Sequence, residues 1–105
     1  MQNQLITVEA YCTYHHAEPE FIDALERGGL LSITIMDNNR YIDFEQLQQL
    51  ESYTRWYYEM DINVPGIDAI INLLDKVKQM QEEIEKLRQQ VAVYQVSESL
   101  NLNGE

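Results

Sequence analysis

At 105 residues the chain has room for one domain, and 18 Asp and Glu against 7 Lys and Arg leave no cluster of cations to neutralise duplex phosphates. A single cysteine excludes an internal disulfide and fits a reducing compartment. "MQNQLITVEA" lacks the basic start and apolar core of a leader, and no apolar run approaches the ~20 residues of a membrane span, so a soluble, cytoplasmic protein is expected.

The acid is unevenly spread. Residues 1–36 hold five acids against one base, residues 37–75 eight against two, and residues 76–105 five against four. An acidic surface favours basic protein partners, although it also serves plain solubility.

In chain order, Thr7 reads as an N-cap: its hydroxyl can accept a free backbone N–H, and Glu9 in the first turn suits the positive end of the helix dipole. The helix so started ends near "YHH". A second helix opens at Pro19, whose missing N–H costs little in the first turn. It closes at Gly28-Gly29, where glycine can take the left-handed conformation. At 100° per residue Phe21, Ile22 and Leu25 share one face, while Glu20, Asp23, Glu26 and Arg27 fan across the other. The spacing is that of a helix-turn-helix, yet its second helix carries acids where a DNA reader needs cations.

Leu31, Ile33 and Ile35 then alternate as in a half-buried strand. Asn38-Asn39 suits a tight turn, and Arg40 to Ile42 return to make a small wing. Asp43 and Gln46 are spaced as a capping box for a helix from Phe44 to about Met60. Leu47, Leu50, Tyr53, Tyr57 and Tyr58 form its buried stripe, with Glu51, Arg55 and Glu59 on the wet side. Trp56 and Met60 fall off that stripe. "INVPG" breaks the chain, because the residue before Pro65 is pushed from the helical region. A long helix follows from Ile67 to about Tyr94, and a polar tail is expected to fray.

Along that helix Ile70, Leu73, Val77, Met80, Ile84, Leu87, Val91 and Tyr94 step alternately by three and four. Every first position is β-branched, a pattern that favours two strands in a parallel pair, and there Glu83 would face Arg88 of the partner. A homodimer through this seam is expected, with the orientation left open. The bland alternative is one amphipathic helix folded on its own domain, against which the narrow two-per-heptad stripe argues.

Little in the chain suggests chemistry. Cys12, His15 and His16 lack a fourth zinc ligand, and no base and orienting group are evident for a nucleophilic thiol. There is no phosphate loop and no dinucleotide fingerprint, so neither an enzyme nor a cofactor or metal is expected. The acids of the second helix are either a solvated surface or a dock for a basic protein. The tyrosines read as core, and Trp56 as a candidate interface anchor.

"ITVEAYCTYHHAEPEFIDALERGGLL" and "YIDFEQLQQLESYTRWYYEMDINVPGIDAIINLLDKVKQMQEEIEKLR" together resemble the chaperone-modulator family CbpM, itself similar to the N-terminal part of MerR-type regulators. The likeness spans residues 5 to 90, and its most telling piece is "WYYEMDINVPGIDAIINLLD". It implies a mainly α fold: a MerR-like winged helix-turn-helix with a small β-hairpin wing over 1–64, a coiled-coil helix over 65–96 and a tail over 97–105. It also implies a function, binding the J-domain of a DnaJ-like co-chaperone of the CbpA type and inhibiting its stimulation of Hsp70. Two patches are candidates for the contact: Glu20, Asp23 and Glu26, and Trp56, Glu59 and Asp61. The competing expectations are a MerR-like DNA-binding transcriptional regulator, against which the missing basic face argues, and a plain adaptor for some other basic partner.

Overall fold

The structure is a computed structural model that describes residues 4–104. Its elements are β1 (Leu5–Thr7), α1 (Val8–His15), α2 (Pro19–Arg27), β2 (Thr34–Met36), β3 (Asn39–Asp43), a 3-10 turn (Phe44–Gln46), α3 (Leu47–Glu59) and α4 (Val64–Gly104). Helix-turn-helix, wing and long C-terminal helix therefore follow in the expected order. The chain divides into two compact units, Met1–Ile70 and Ile71–Glu105. None of its described helices is long and apolar enough to cross a membrane.

Local chemistry sets the helix ends. Thr7 Oγ1 accepts the Ala10 N–H at 3.0 Å and starts α1. His16 stops it in the left-handed conformation, φ 56°. At the end of α2, Gly28 is right-handed and Gly29 alone turns left-handed, at φ 78°. The Gly29 N–H then reaches the Glu26 carbonyl and the Leu30 N–H the Leu25 carbonyl. This paired closure satisfies carbonyls that the last turn would leave bare.

The wing departs from the sequence pattern in three ways. A strand at Leu5–Thr7, too short to show a period, pairs antiparallel with β3 and sets Ile6 opposite Ile42, giving the order β1-β3-β2. The turn is Asp37-Asn38 and not Asn38-Asn39: both take positive φ, 51° and 65°, and Met36 pairs with Asn39. Positive φ at both central residues matches the twist of a two-residue hairpin. Finally, residues 31–33 are irregular; Leu31 is buried, but Ile35 lies 69 % exposed. The apparent alternation crosses a loop and a strand, so it describes no single face.

The capping box does not form. Asp43 makes no side-chain cap bond, and Gln46 is drawn elsewhere. Its amide donates to the Ser32 carbonyl and accepts the Ser32 N–H, both at 2.9 Å. That pair ties the irregular segment after α2 to the start of α3. On α3 Leu50, Tyr53 and Thr54 are buried, Leu47 and Tyr57 are half-buried, and Tyr58 is exposed. Glu51 turns toward His15, 3.7 Å away.

The last helix starts earlier and ends later than its sequence pattern indicates. Val64 is already helical, since Asn63 Oδ1 accepts the Gly66 N–H at 2.8 Å. A proline in the first turn has no partner to lose, so this cap outweighs the constraint on the preceding residue. Gly66 is required there, because a Cβ would sit 2.9 Å from the Ile62 side chain. At the other end the helix runs on through residues 97–104, the segment expected to fray. Ile22, Leu25, Ile42, Leu50 and Ile67, all fully buried, anchor the core of the first unit. Each such side chain contributes roughly 1.5–3 kcal/mol by leaving water.

Candidate functional site

α2 owes its two faces to sequence alone. Phe21, Ile22 and Leu25 are buried, which obliges Glu20, Asp23, Glu26 and Arg27 to face outward. The helix is clamped at both ends of this outer surface. At its start the Glu18 N–H donates to the Tyr58 hydroxyl at 2.8 Å. The Phe21 ring lies 4.4 Å from that of Tyr57 and 5.4 Å from that of Tyr58, edge-on to the latter. Burial pushes the Tyr58 phenol up, partly offset by the Glu18 N–H that it accepts. Tyr58, read from the pattern as core, is an exposed ring that locks α2 onto α3.

The second clamp comes from the wing. One Arg40 Nη2 donates to Asp23 Oδ1 at 2.8 Å and to Glu26 Oε1 at 3.3 Å. The three side chains are 37–43 % exposed, so the pairs are worth at most about 1 kcal/mol each. Their electrostatic consequence is larger than their stability. Two acids of the outward face are partly neutralised by a residue of this chain, while Glu20 remains exposed and outside the fork. Sequence reading missed Arg40 as a site residue, although the signal existed. Arg40 and Ile42 share a face at a strand's period of two, and Ile42 is buried; Arg40 therefore points to the side where α2 lies.

The other expected patch is built around a sharp chain reversal. The Met60 and Ile62 N–H groups both donate to the Trp56 carbonyl, at 3.2 and 3.0 Å, while Asp61 takes φ 57°. Aspartate tolerates that conformation better than most side chains. Trp56 is half-buried with its ring 6.1 Å from that of Tyr53, and Glu59 and Asp61 are exposed. A shallow concavity lined by Tyr57, Tyr58, Asp61 and Ile62 opens beside them. The Phe21–Tyr58 contact links the supports of the two patches within one unit; no bond joins the acids of one to those of the other.

Cys12 is buried, and that burial raises its thiol pKa. His15 stacks on Tyr11 with centroids 4.2 Å apart, and His16 caps α1. Among the described residues no group of three or more His, Cys, Asp or Glu could hold a metal ion. The seam residues lie along α4, Ile70 half-buried and the others from Leu73 to Tyr94 exposed.

Compared with known families, residues 6–89 match the description "MerR HTH family regulatory protein". The match takes in the wing, both helices of the helix-turn-helix and most of the long helix. No curated protein and no solved structure matched the chain.

Proposed function

The chain belongs to the MerR HTH family of regulatory proteins, and from that premise we propose that it regulates by gripping a basic protein surface and not by reading DNA. The observation that carries this reading is the outer face of α2. It presents Glu20, Asp23 and Glu26 against the single Arg27 in its last turn, and the cation that reaches it from the wing, Arg40, is already bonded to two of the acids. A helix placed in a groove must neutralise phosphates before any base edge can be read. Here the corresponding surface repels phosphate and attracts Lys and Arg.

The likeness of "WYYEMDINVPGIDAIINLLD" to the CbpM chaperone modulators supplies the partner class. The ligand is the J-domain of a DnaJ/CbpA-like co-chaperone, whose basic helical face engages Hsp70. Covering that face blocks recruitment, so stimulation of the Hsp70 ATPase is lost without any chemistry on this chain. Electrostatic complementarity of this kind speeds and selects association, and salt weakens it. Trp56 is suited to the anchoring role that buried aromatics take at the centre of an interface.

Calorimetric titration with the J-domain tests the reading. Saturable binding, weaker at raised salt and accompanied by loss of Hsp70 stimulation, is expected. Glu20→Lys should weaken it if α2 is the contact, and Trp56→Ala if the end of α3 is. Absence of heat at low salt, with no competition against Hsp70, would reassign the protein to a different basic partner. The family's other regulatory mode, an operator complex, predicts a sequence-selective gel shift instead.

A further inference from the structure

Cys12 and Ala17 are small side chains where α1 turns toward α2, and they leave space that nothing else in the chain fills. A cavity of about 540 Å³ opens there between α1, the start of α2 and the wing. Val8, Cys12 and Ala17, all buried, form its apolar floor. Protein interiors are packed without such gaps, and an apolar concavity with a few polar groups at its rim is the form that binding sites take. On the reading of α2's outer face as a dock for a basic protein, we propose that this cavity receives a large apolar side chain from the cationic helix that settles there. The partner must then carry that apolar residue within one helical turn of its Lys or Arg.

Continuity and charge name the occupant. Pro19, the first residue of α2, lines the cavity, and so does Arg40, whose Nη2 holds Asp23 and Glu26. The acids reach the cavity electrically as well. Burial raises the Cys12 thiol pKa most, the Asp23 and Glu20 carboxylates add to it, and Arg40 opposes it. Glu9 lines the cavity from α1 with a further carboxylate. Against these acids stands one guanidinium already engaged by two of them, so the mouth favours a cation. The floor does not, because a charge placed there would lose its water without gaining a partner. A ligand that suits both regions sets its cations on the acids and an apolar side chain inside. Residues three or four apart share a helix face, so a single turn of helix delivers both.

Two helical peptides of lysine and alanine test this, one with a leucine placed a turn from its lysines and one with alanine there. At low salt the leucine peptide should bind the wild-type chain roughly tenfold tighter, the worth of taking leucine and not alanine out of water. Iodoacetamide should alkylate Cys12, whose side chain lines the cavity, several-fold more slowly once that peptide saturates the chain. Thr13→Trp, at an exposed position of α1 on the rim, should occupy the space and erase the advantage of leucine. Equal affinities for the two peptides, or a leucine advantage that leaves Cys12 unprotected, would overturn the cavity's role while α2 kept its cationic ligand. Binding of neither peptide would overturn that role and the cation-attracting face together. Protection of Cys12 that grows with protein concentration alone would give the cavity to a second copy and equally refute the proposal.

Discussion

The Tyr11 hydroxyl sits 2.8 Å from Thr54 Oγ1, and Thr54 donates its own proton to the Leu50 carbonyl, also at 2.8 Å. Tyr11 must therefore be the donor, and the two hydroxyls form a directed relay across the core between α1 and α3. Tyr11→Phe should cost about 1 kcal/mol in urea denaturation, and Thr54→Val should add little once Tyr11 has gone. Burial also raises the Tyr11 pKa. A group whose folded pKa is raised stabilises fully below its unfolded pKa and loses that contribution as pH climbs through the folded one. Stability should thus fall on the alkaline side of the tyrosine range, and less steeply in Tyr11→Phe. His16 offers a gain: at φ 56° a glycine avoids the left-handed penalty of roughly 1 kcal/mol, so His16→Gly should raise the thermal midpoint. A lower midpoint would show that its ring contributes more than its backbone costs. Residue-scale features of this kind divide by range. The Thr7 cap and the Gly29 closure were legible because their partners lie within a few residues. The Tyr11–Thr54 relay was not, since nothing in a helix's own pattern announces a polar partner 43 positions away.

Among the elements, α2 gains its position from Tyr58 on one side and Arg40 on the other. Arg40→Ala removes both pairs and should cost at most about 2 kcal/mol, as befits exposed ion pairs. If α2 is the docking face, the same change frees Asp23 and Glu26 and should tighten a basic ligand several-fold, with a steeper salt dependence. Unchanged affinity would move the contact to Trp56, Glu59 and Asp61. The helices were largely readable from their apolar spacing, because long periodic segments carry redundant signal. The wing was not: β1 has only three residues, and the apolar Ile35 and Met36 at its tip are exposed. Asp43 and Gln46 misled for a related reason. A glutamine can cap a helix or bridge to a loop, and only the tertiary position of Ser32 decides between them.

For the whole molecule, family membership fixes the architecture, and the proposed function has the charge redirect its use. A helix-turn-helix with acids on its second helix keeps the shape of a nucleic-acid reader but turns Glu20, Asp23 and Glu26 outward. The candidate acids were legible as residues, but their partial neutralisation by the wing was not, because it joins positions 14 to 17 apart through the fold. The most direct measurement is fluorescence anisotropy of two probes against one protein sample, a labelled J-domain and a labelled duplex, across a salt series. Saturable J-domain binding that weakens with salt and with Glu20→Lys, beside a flat duplex trace, is the predicted result. A duplex captured tightly and sequence-selectively, with the J-domain trace flat, would contradict it.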